Sequence, residues 1–332
     1  MEQKEWSIGK LMELSSGYWK LSAIQAGIKL DIFTIIGEGE LTAQEIAIKI
    51  ESDTRATSML LNALAALELI QKKDARYFAT DFAKKFLSKN SDDYFGYIIM
   101  HFHNLVYSWN NLHEAVKSGK PVRTRMPQRT DEELENFLMG MNNLATHLAK
   151  IVTDKIDLSN CNSIIDIGGG PATYSIHFCI ENKNLKATVF DLPSTEPFAK
   201  KNIEKFGLTD RINFIAGNYL EDKIEGKYDA AWLSQILHGM GQKECFNVIE
   251  KAVASLNKGG MIYIHEFILD DSMASPVHPA LFSLNMLLGT DNGQSYSEGQ
   301  IIDMLKNAGV ENIKRLQFKG PNDSGIISGI KA

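Results

Sequence analysis

Hydrophobic and polar positions follow two different patterns along the chain. Before about residue 150, apolar residues recur at helical spacing, which predicts a largely helical region with one short hairpin. After Ser163, short apolar runs alternate with helical stretches, as expected for βαβ units. The predicted strands are 163–168, 186–191, 211–216, 228–236 and 260–268. A helix over 297–308 and a final hairpin of 312–320 and 324–332 follow. The sheet should therefore be doubly wound and mostly parallel, with one antiparallel strand.

The N-terminal region has the layout of a winged helix. Thr42 and Glu45 predict a capping box at the start of one helix. The next helix, from Arg55 to about Ile70, is expected to bury one face. The positions that share this face are Ala56, Met59, Leu60, Ala63, Leu64 and Leu67. Two strands around a turn at 73–74 complete the layout. Because Arg55 is the only basic residue of the second helix, the pattern favours a protein–protein role over DNA recognition.

Residues 94–150 form a second helical region that is rich in aromatic residues and methionine. Its helices are predicted in "YFGYIIMHFHNLVYSWNNL" and "ELENFLMGMNNLATHLAK", with the polar loop "KSGKPVRTRMPQRT" between them. We expect these helices to connect two domains and to cover a pocket.

A glycine-rich turn, "DIGGGPATYS" at 166–175, follows the first strand of the predicted sheet. A P-loop is excluded because no Gly-Lys-Ser/Thr follows the glycines. The GxGxxG spacing of dinucleotide folds is also absent, and Pro171, expected at the first helical position, lacks a donor for a phosphate. Asp166 would add a negative charge beside any phosphate. The turn therefore favours a ligand that carries positive charge.

S-adenosylmethionine suits this pattern, because it has a sulfonium and an ammonium group and no phosphate. Its ribose needs an acidic acceptor, and Asp191 ends the second strand about 20 residues after the glycines. Its adenine needs a polar group and an apolar wall, which Asn218 and Tyr219 supply after the third strand. Three features at three successive strand ends are more specific than the glycines alone.

Composition narrows the remaining classes of function. The chain has 332 residues, enough for about two domains, and a formal net charge of −6. This charge argues against nucleic acid or an anionic membrane as the main partner. The three cysteines lack metal-site or disulfide spacing, and the N-terminus lacks a signal-peptide core. We expect a cytoplasmic protein without a metal ion.

Several ordered motifs resemble those of the caffeate/acetylserotonin O-methyltransferase family, particularly its bacterial branch. They are "DIGGGPATYS", "VFDLPST", "GNYLED", "ILHGMGQKEC" and "GGMIYIHEFILDD". The resemblance implies a Rossmann-like methyltransferase sheet preceded by a winged-helix domain. It divides the chain into a dimerisation domain (1–95), a helical linker that roofs the pocket (96–155) and a domain that binds S-adenosylmethionine (156–332). It also implies a homodimer and a small-molecule acceptor.

The resemblance further implies roles for individual residues. The cofactor's methionine end would lie against the glycine turn, its ribose on Asp191 and its adenine on Asn218 and Tyr219. The full set of expected cofactor residues is Asp166, Gly168, Gly169, Gly170, Asp191, Leu192, Asn218, Tyr219 and Ser234. Ser234 falls where the family usually has a lysine. His238 falls on the catalytic histidine, and Glu266 on the carboxylate that flanks it.

Histidine is a suitable base for this chemistry. A phenol, with a pKa of about 10, is a poor nucleophile at neutral pH until a base takes its proton, and an imidazole with a pKa of about 6.5 can accept it. The sequence departs from the family around His238. Gly239 and Met240 replace Asp-Trp, and Ser295 replaces a second flanking carboxylate. Nearer the cofactor, Ala172 stands where the family has a third glycine.

The family pattern also suggests an apolar acceptor pocket, although the same residues could belong to the core. They are Phe137, Met141, His278, Phe282 and Met286. His101 and His103 should diverge on a helix rather than bind a metal, and His265 should face away from Glu266. The preferred function is methylation of a hydroxyl of a small aromatic or quinone-like metabolite. S- or C-methylation, hydroxylation or decarboxylation on the same fold, and a winged-helix DNA-binding regulator, remain the alternatives.

Overall fold

The computed structural model describes residues 6–123 and 130–332, and the chain forms two compact units. One unit contains Met1–Asn104 and Glu135–Asn143, and the other contains Leu105–Leu134 and Leu144–Ala332. Part of the predicted polar loop, 124–129, lies outside the described residues. The threefold division at residues 95 and 155 stays a prediction.

The N-terminal region combines helices with a small antiparallel sheet of three strands, in which the third strand along the chain lies in the middle. In chain order they are α1 (Ile8–Lys29), α2 (Ile32–Ile36), β1 (Glu40–Thr42), α3 (Ala43–Lys49), α4 (Thr54–Ala66), β2 (Ile70–Lys73), β3 (Arg76–Ala79) and α5 (Asp81–Phe86). The capping box at α3 is confirmed, because Thr42 N donates to Glu45 Oε2 at 2.7 Å and Glu45 N donates to Thr42 Oγ1 at 3.2 Å. Strand β1 was not predicted.

The buried face of α4 differs from the predicted one. The helix buries Thr57, Leu61 and Leu64, whereas Met59 is 59% exposed. It also ends at Ala66 rather than near residue 70. Apolar residues lie on both sides of this helix, so the sequence alone did not distinguish the side that packs inward.

The remaining helices and the large sheet follow. The helices are α6 (Gly96–Asn110), α7 (Leu112–Ser118), α8 (Asp131–Thr153), α9 (Thr173–Glu181), α10 (Glu196–Lys205), α11 (Gln242–Ala254), α12 (Val277–Gly289) and α13 (Glu298–Asn307). The strands are β4 (Ser163–Ile167), β5 (Lys186–Asp191), β6 (Ile212–Ala216), β7 (Tyr228–Ser234), β8 (Leu256–Phe267), β9 (Val310–Arg315) and β10 (Ser324–Lys331).

The seven-stranded sheet has the order β6-β5-β4-β7-β8-β10-β9. Pairs from β6 to β8 are parallel, and β10 is antiparallel to both of its neighbours. The predicted class, a doubly wound and mostly parallel sheet with one antiparallel strand, is therefore confirmed. Both faces are covered: Val248 of α11 and Ile301 of α13 pack on one face, and Ile176 of α9 and Ile203 of α10 pack on the other.

The start of α9 corrects one expectation about the glycine turn. The helix begins at Thr173, so Pro171 lies in the turn before it rather than at its first position. Ala172, directly before the helix, has φ +66°, a left-handed conformation that glycine adopts more readily.

Among the described residues, no helix combines the length and the apolar character that crossing a membrane requires.

Candidate active site

The predicted cofactor residues gather where β4 and β5 end, close to the point at which the strand order reverses. Strand β4 lies between β5 and β7. Strands β5 and β6 are added on one side of β4, and the strands from β7 onward are added on its other side. Ligands of doubly wound sheets bind in the crevice at this switch point.

The glycine turn after β4 requires glycine for two separate reasons. Gly168 has φ +70°, and a Cβ atom there would lie 2.5 Å from Ile236 Cγ2. A Cβ atom on Gly169 would lie 2.7 Å from the Asp166 carboxyl carbon. Gly170 has φ +51°, and the space at its Cβ position is open. The turn therefore has open space beside Gly170 and is tightly packed at Gly169.

Asp166 supports this turn from inside the protein. Its side chain is buried, and Ser175 Oγ donates a hydrogen bond to Oδ2 at 2.7 Å. Burial raises the pKa of Asp166 to about 7, although the Ser175 hydrogen bond acts in the opposite direction. Ser175, which lies in the first turn of α9, was not identified from the sequence.

Asp191 connects the ends of β4 and β5. Gly170 N donates to Oδ2 at 2.7 Å, and Leu192 N donates to Oδ1 at 2.6 Å. Burial raises the pKa of Asp191, and these two backbone donors oppose the shift. Each carboxylate oxygen retains acceptor capacity for a ligand hydroxyl. Gly170, Asp191 and Leu192, all predicted, are thus brought together.

The loop after β6 contains Asn218 and Tyr219. Asn218 Oδ1 accepts from Leu220 N at 3.0 Å, and Asn218 N donates to Asp222 Oδ2 at 2.7 Å, so the loop is a tight turn. The Tyr219 ring lies beside Gly168, because its Cε1 is 3.5 Å from the position of a Cβ atom there. Burial raises the pKa of Tyr219 to about 12. These two residues therefore share the edge with the glycine turn.

His238 and Glu266 form a hydrogen-bonded pair at the ends of β7 and β8. His238 lies in a short 3₁₀ turn, Leu237–Gly239, and its Nδ1 is 2.8 Å from Glu266 Oε2. Leu237 N donates to Glu266 Oε1, also at 2.8 Å. Both carboxylate oxygens are therefore engaged, and the His238 ring is fixed with Nε2 pointing away from Glu266. Cys245 Sγ of α11 donates to Leu237 O at 3.1 Å and holds the turn from below.

Aromatic rings surround His238. The Phe282 ring of α12 meets His238 edge-on with centroids 4.8 Å apart, and the Phe267 ring is parallel to it at 6.3 Å. His278 packs on Phe267 at 4.8 Å. Met286, on the same helix as Phe282, is buried. Phe267 was missed in the sequence, although its position directly after Glu266 at the end of an apolar strand is a usable signal.

Phe137 and Met141 lie on α8, within the first unit, and both are partly buried. The Phe137 ring packs against His101 with centroids 5.4 Å apart. Their role in an acceptor pocket stays a prediction.

Ser234 and His265 lie on the side of the sheet away from Glu266. Ser234 Oγ is 2.9 Å from His265 Nδ1, and His265 stacks on Trp232. The predicted opposite orientation of His265 and Glu266 is therefore confirmed. Burial lowers the pKa of His265 to about 4.

Ser295 and the pair His101 and His103 were also singled out in the sequence. Ser295 is buried, and its hydroxyl makes no hydrogen bond within the described ranges. His103 contacts Lys29 and Gln25, whereas His101 packs on Phe137, so the two histidines diverge as expected. No cluster of metal-ligand side chains occurs in 6–123 or 130–332.

The donor set at this edge fits S-adenosylmethionine. Asp166 and Asp191 would repel a pyrophosphate, whereas a cationic nucleoside is compatible with both carboxylates. The open space beside Gly170 and the acceptor oxygens of Asp191 suit its polar groups, and the Tyr219 ring supplies apolar surface. Residues from three strand ends would hold the cofactor.

Comparison with known proteins gives a consistent result. Residues 12–89 match an O-methyltransferase dimerisation domain, and residues 109–311 match an O-methyltransferase domain. The chain is 32% identical to 3-hydroxy-5-methyl-1-naphthoate 3-O-methyltransferase from Streptomyces sahachiroi, over 97% of this chain and 95% of the relative.

Two solved structures share the fold. An O-methyltransferase family protein from Burkholderia thailandensis has a TM-score of 0.90 at 24% identity, over 99% of both chains. Human N-acetylserotonin methyltransferase in complex with S-adenosylmethionine has a TM-score of 0.87 at 22% identity, over 100% of both chains. The resemblance stated from the motifs is confirmed, and the chain belongs to the S-adenosylmethionine-dependent O-methyltransferase family.

Proposed function

We propose that the enzyme methylates a hydroxyl group of a small aromatic or quinone-like metabolite, with His238 as the general base and Glu266 as the residue that orients it. The observation that carries the proposal is the 2.8 Å contact between His238 Nδ1 and Glu266 Oε2 inside a wall of aromatic rings. The name of the Streptomyces sahachiroi relative specifies a hydroxynaphthoate acceptor, which supports an aromatic substrate.

The cofactor supplies a methyl group activated by its sulfonium, and the protein supplies alignment and a base. Methyl transfer is an in-line displacement, so the acceptor oxygen must approach along one direction. His238 Nε2 accepts the hydroxyl proton as the oxygen attacks, because Nδ1 is already bonded to Glu266. Glu266 stabilises the imidazolium that forms, as a buried carboxylate does in other histidine-base enzymes.

We infer that Phe267, Phe282 and His278 bind the acceptor ring. Their centroids lie 4.7–6.1 Å from one another, which suits stacking or edge contacts with a planar substrate. Met286 of α12, which is buried, would extend the apolar wall.

We also infer that the protein is a homodimer that associates through its N-terminal domain. The dimerisation-domain match supports this, and so do apolar side chains exposed along α1. They include Ile8 (84% exposed), Leu14 (68%) and Trp19 (65%). Light scattering should give twice the chain mass, and Trp19→Asp should shift it toward the monomer. A monomeric wild type would overturn this part of the proposal.

The catalytic proposal is tested with purified enzyme and a panel of phenols, hydroxyquinones and thiols. We expect methylated phenol or hydroxyquinone products, and we expect His238→Ala to reduce turnover about 10²–10⁴-fold. His113→Ala, which removes an exposed histidine on α7, is the control. Methylation confined to thiols would overturn the substrate class, and unchanged turnover of His238→Ala would overturn the base.

A second reaction on the same fold is favoured by one observation, the loss of a second carboxylate partner at Ser295. A histidine base with a single carboxylate partner suits an acceptor that is already ionised, or a reaction such as hydroxylation or decarboxylation. In that case His238→Ala would keep its turnover. A DNA-binding role is disfavoured because α4 exposes apolar residues such as Met59.

A further inference from the structure

Lys251, in the last turn of α11, makes three contacts with a single loop. Its Nζ donates to Tyr219 O at 3.0 Å, Leu220 O at 2.9 Å and Asp222 O at 2.9 Å. An ammonium group has three donor hydrogens, so the loop after β6 uses its full capacity. We propose that Lys251 is a positioning residue that holds this loop, and with it Asn218 and Tyr219, in the conformation that binds the cofactor's adenine. This inference rests on the proposed placement of adenine at those two residues.

The internal hydrogen bonds of the loop use none of the three carbonyl groups that Lys251 contacts. They run from Asn218 N to Asp222 Oδ2, from Leu220 N to Asn218 Oδ1, and from Glu221 N and Asp222 N to Asn218 O. These bonds close the turn and direct the three remaining carbonyl groups toward one point. The ammonium offsets the mutual repulsion of these dipoles, and hydrogen bonds to a charged donor are stronger than neutral ones.

The lysine connects the loop to a rigid element. Helix α11 packs into the core of the sheet through Val248, Ile249 and Ala252, which are all buried. Lys251 lies between Ile249 and Ala252 and is itself partly buried, so its backbone position is fixed relative to the sheet. A loop held in this way has already lost the freedom that cofactor binding would otherwise remove.

The expected consequence is a loss of affinity for the cofactor without a matching loss of the chemical step. Lys251→Met keeps most of the apolar stem and removes the ammonium. We expect the Kd for S-adenosylhomocysteine and the KM for S-adenosylmethionine to rise about tenfold or more, while kcat at saturation changes less than about threefold. Lys251→Arg retains the charge and several donors and should restore at least half of the lost binding free energy.

Lys227→Met is the matched control. Lys227 also donates to a backbone carbonyl, Ala254 O at 2.7 Å. This carbonyl lies at the end of α11 and not in the loop after β6. We expect its Kd to remain within about twofold of wild type. Calorimetric titration with S-adenosylhomocysteine and a melting curve of each ligand-free variant are the measurements.

The outcomes are distinguishable. A tenfold loss in Lys251→Met, with Lys227→Met unaffected and Lys251→Arg recovering, supports the proposal. Equal affinity of Lys251→Met and wild type overturns it and leaves the cofactor site intact. A wild type that does not bind S-adenosylhomocysteine defeats the proposed site itself. If Lys251→Met does not fold, Lys251→Gln, which keeps two neutral donors, decides: wild-type affinity in this variant refutes a role for the charge.

Discussion

Replacing Glu266 with glutamine tests the base mechanism most directly, because both oxygens of this carboxylate are engaged by donors. One accepts from Leu237 N, and the other contacts His238 Nδ1, each at 2.8 Å. A glutamine has one acceptor and one donor end. If its oxygen stays on Leu237 N, its NH₂ group faces Nδ1 and forces the ring proton onto Nε2, so the imidazole cannot accept the substrate's proton. If the amide flips, two donors oppose each other at Leu237.

The size of the effect follows from these contacts. A buried donor left without an acceptor costs about 1–3 kcal/mol, so the melting temperature should fall. The wrong tautomer removes general-base catalysis, for which a loss of roughly 10²–10⁴-fold in kcat is expected. Cofactor affinity should change little, because the two hydrogen bonds of Glu266 go to Leu237 and His238, neither of which is a proposed cofactor residue.

The assay is steady-state methyl transfer to the best phenol, with calorimetric binding of S-adenosylhomocysteine measured in parallel. Glu244→Gln is the control, because Glu244 also lies beside the histidine turn, where it caps Gly241 N at 2.9 Å, and glutamine can serve the same capping role. A folded Glu266→Gln enzyme that retains kcat within about threefold of wild type would show that His238 is not the base.

Three further predictions concern the turn, its buried acid and α4. Gly169→Ala should abolish measurable cofactor binding, since its Cβ atom would collide with the Asp166 carboxyl group, whereas Gly39→Ala, which meets only ordinary contacts, should bind normally in the same titration. Burial raises the pKa of Asp166 in the folded protein to about 7 from 3.8, so the ligand-free protein should lose stability as the pH rises from about 4 to 7, by at most about 4 kcal/mol. Chemical denaturation of Asp166→Asn should show a flatter dependence of stability on pH. An unchanged slope would contradict the raised pKa. Leu61→Ala should cost about 2–5 kcal/mol and Met59→Ala less than about 1 kcal/mol, and the reverse order in thermal melts would refute the observed face of α4.

The large sheet was predictable because its buried strands are short apolar runs bounded by turn residues. Strand β5 has the predicted limits 186–191, and β4 differs by one residue. Alternation along β8 also separated His265 from Glu266 correctly, since successive strand residues face opposite sides. Errors arose where local patterns are degenerate. Helix α4 has apolar residues on two sides, and tertiary packing alone selects Leu61 over Met59.

Parts of the site depend on contacts that no local pattern encodes. The contact of Lys251 with Leu220 joins residues 31 positions apart, and a lysine at the end of a helix looks like an ordinary solvated side chain. Ala172 occupies a left-handed conformation where glycine is usual, so the start of α9 was expected too early. The pairing of Asp166 with Ser175 was missed because a serine inside a helix carries little signal of its own.

Helix α11 limits how the substrate specificity of the enzyme can change. Its first turn holds the histidine turn through Cys245, and its last turn holds the cofactor loop through Lys251. The proposed base and the proposed adenine loop are therefore held at opposite ends of one helix of 13 residues, about 20 Å long. Insertion of one residue would turn one end by about 100° relative to the other and separate the two functions. New acceptors are thus more easily accommodated by substitutions in α12, where a change of ring or side chain leaves that spacing untouched.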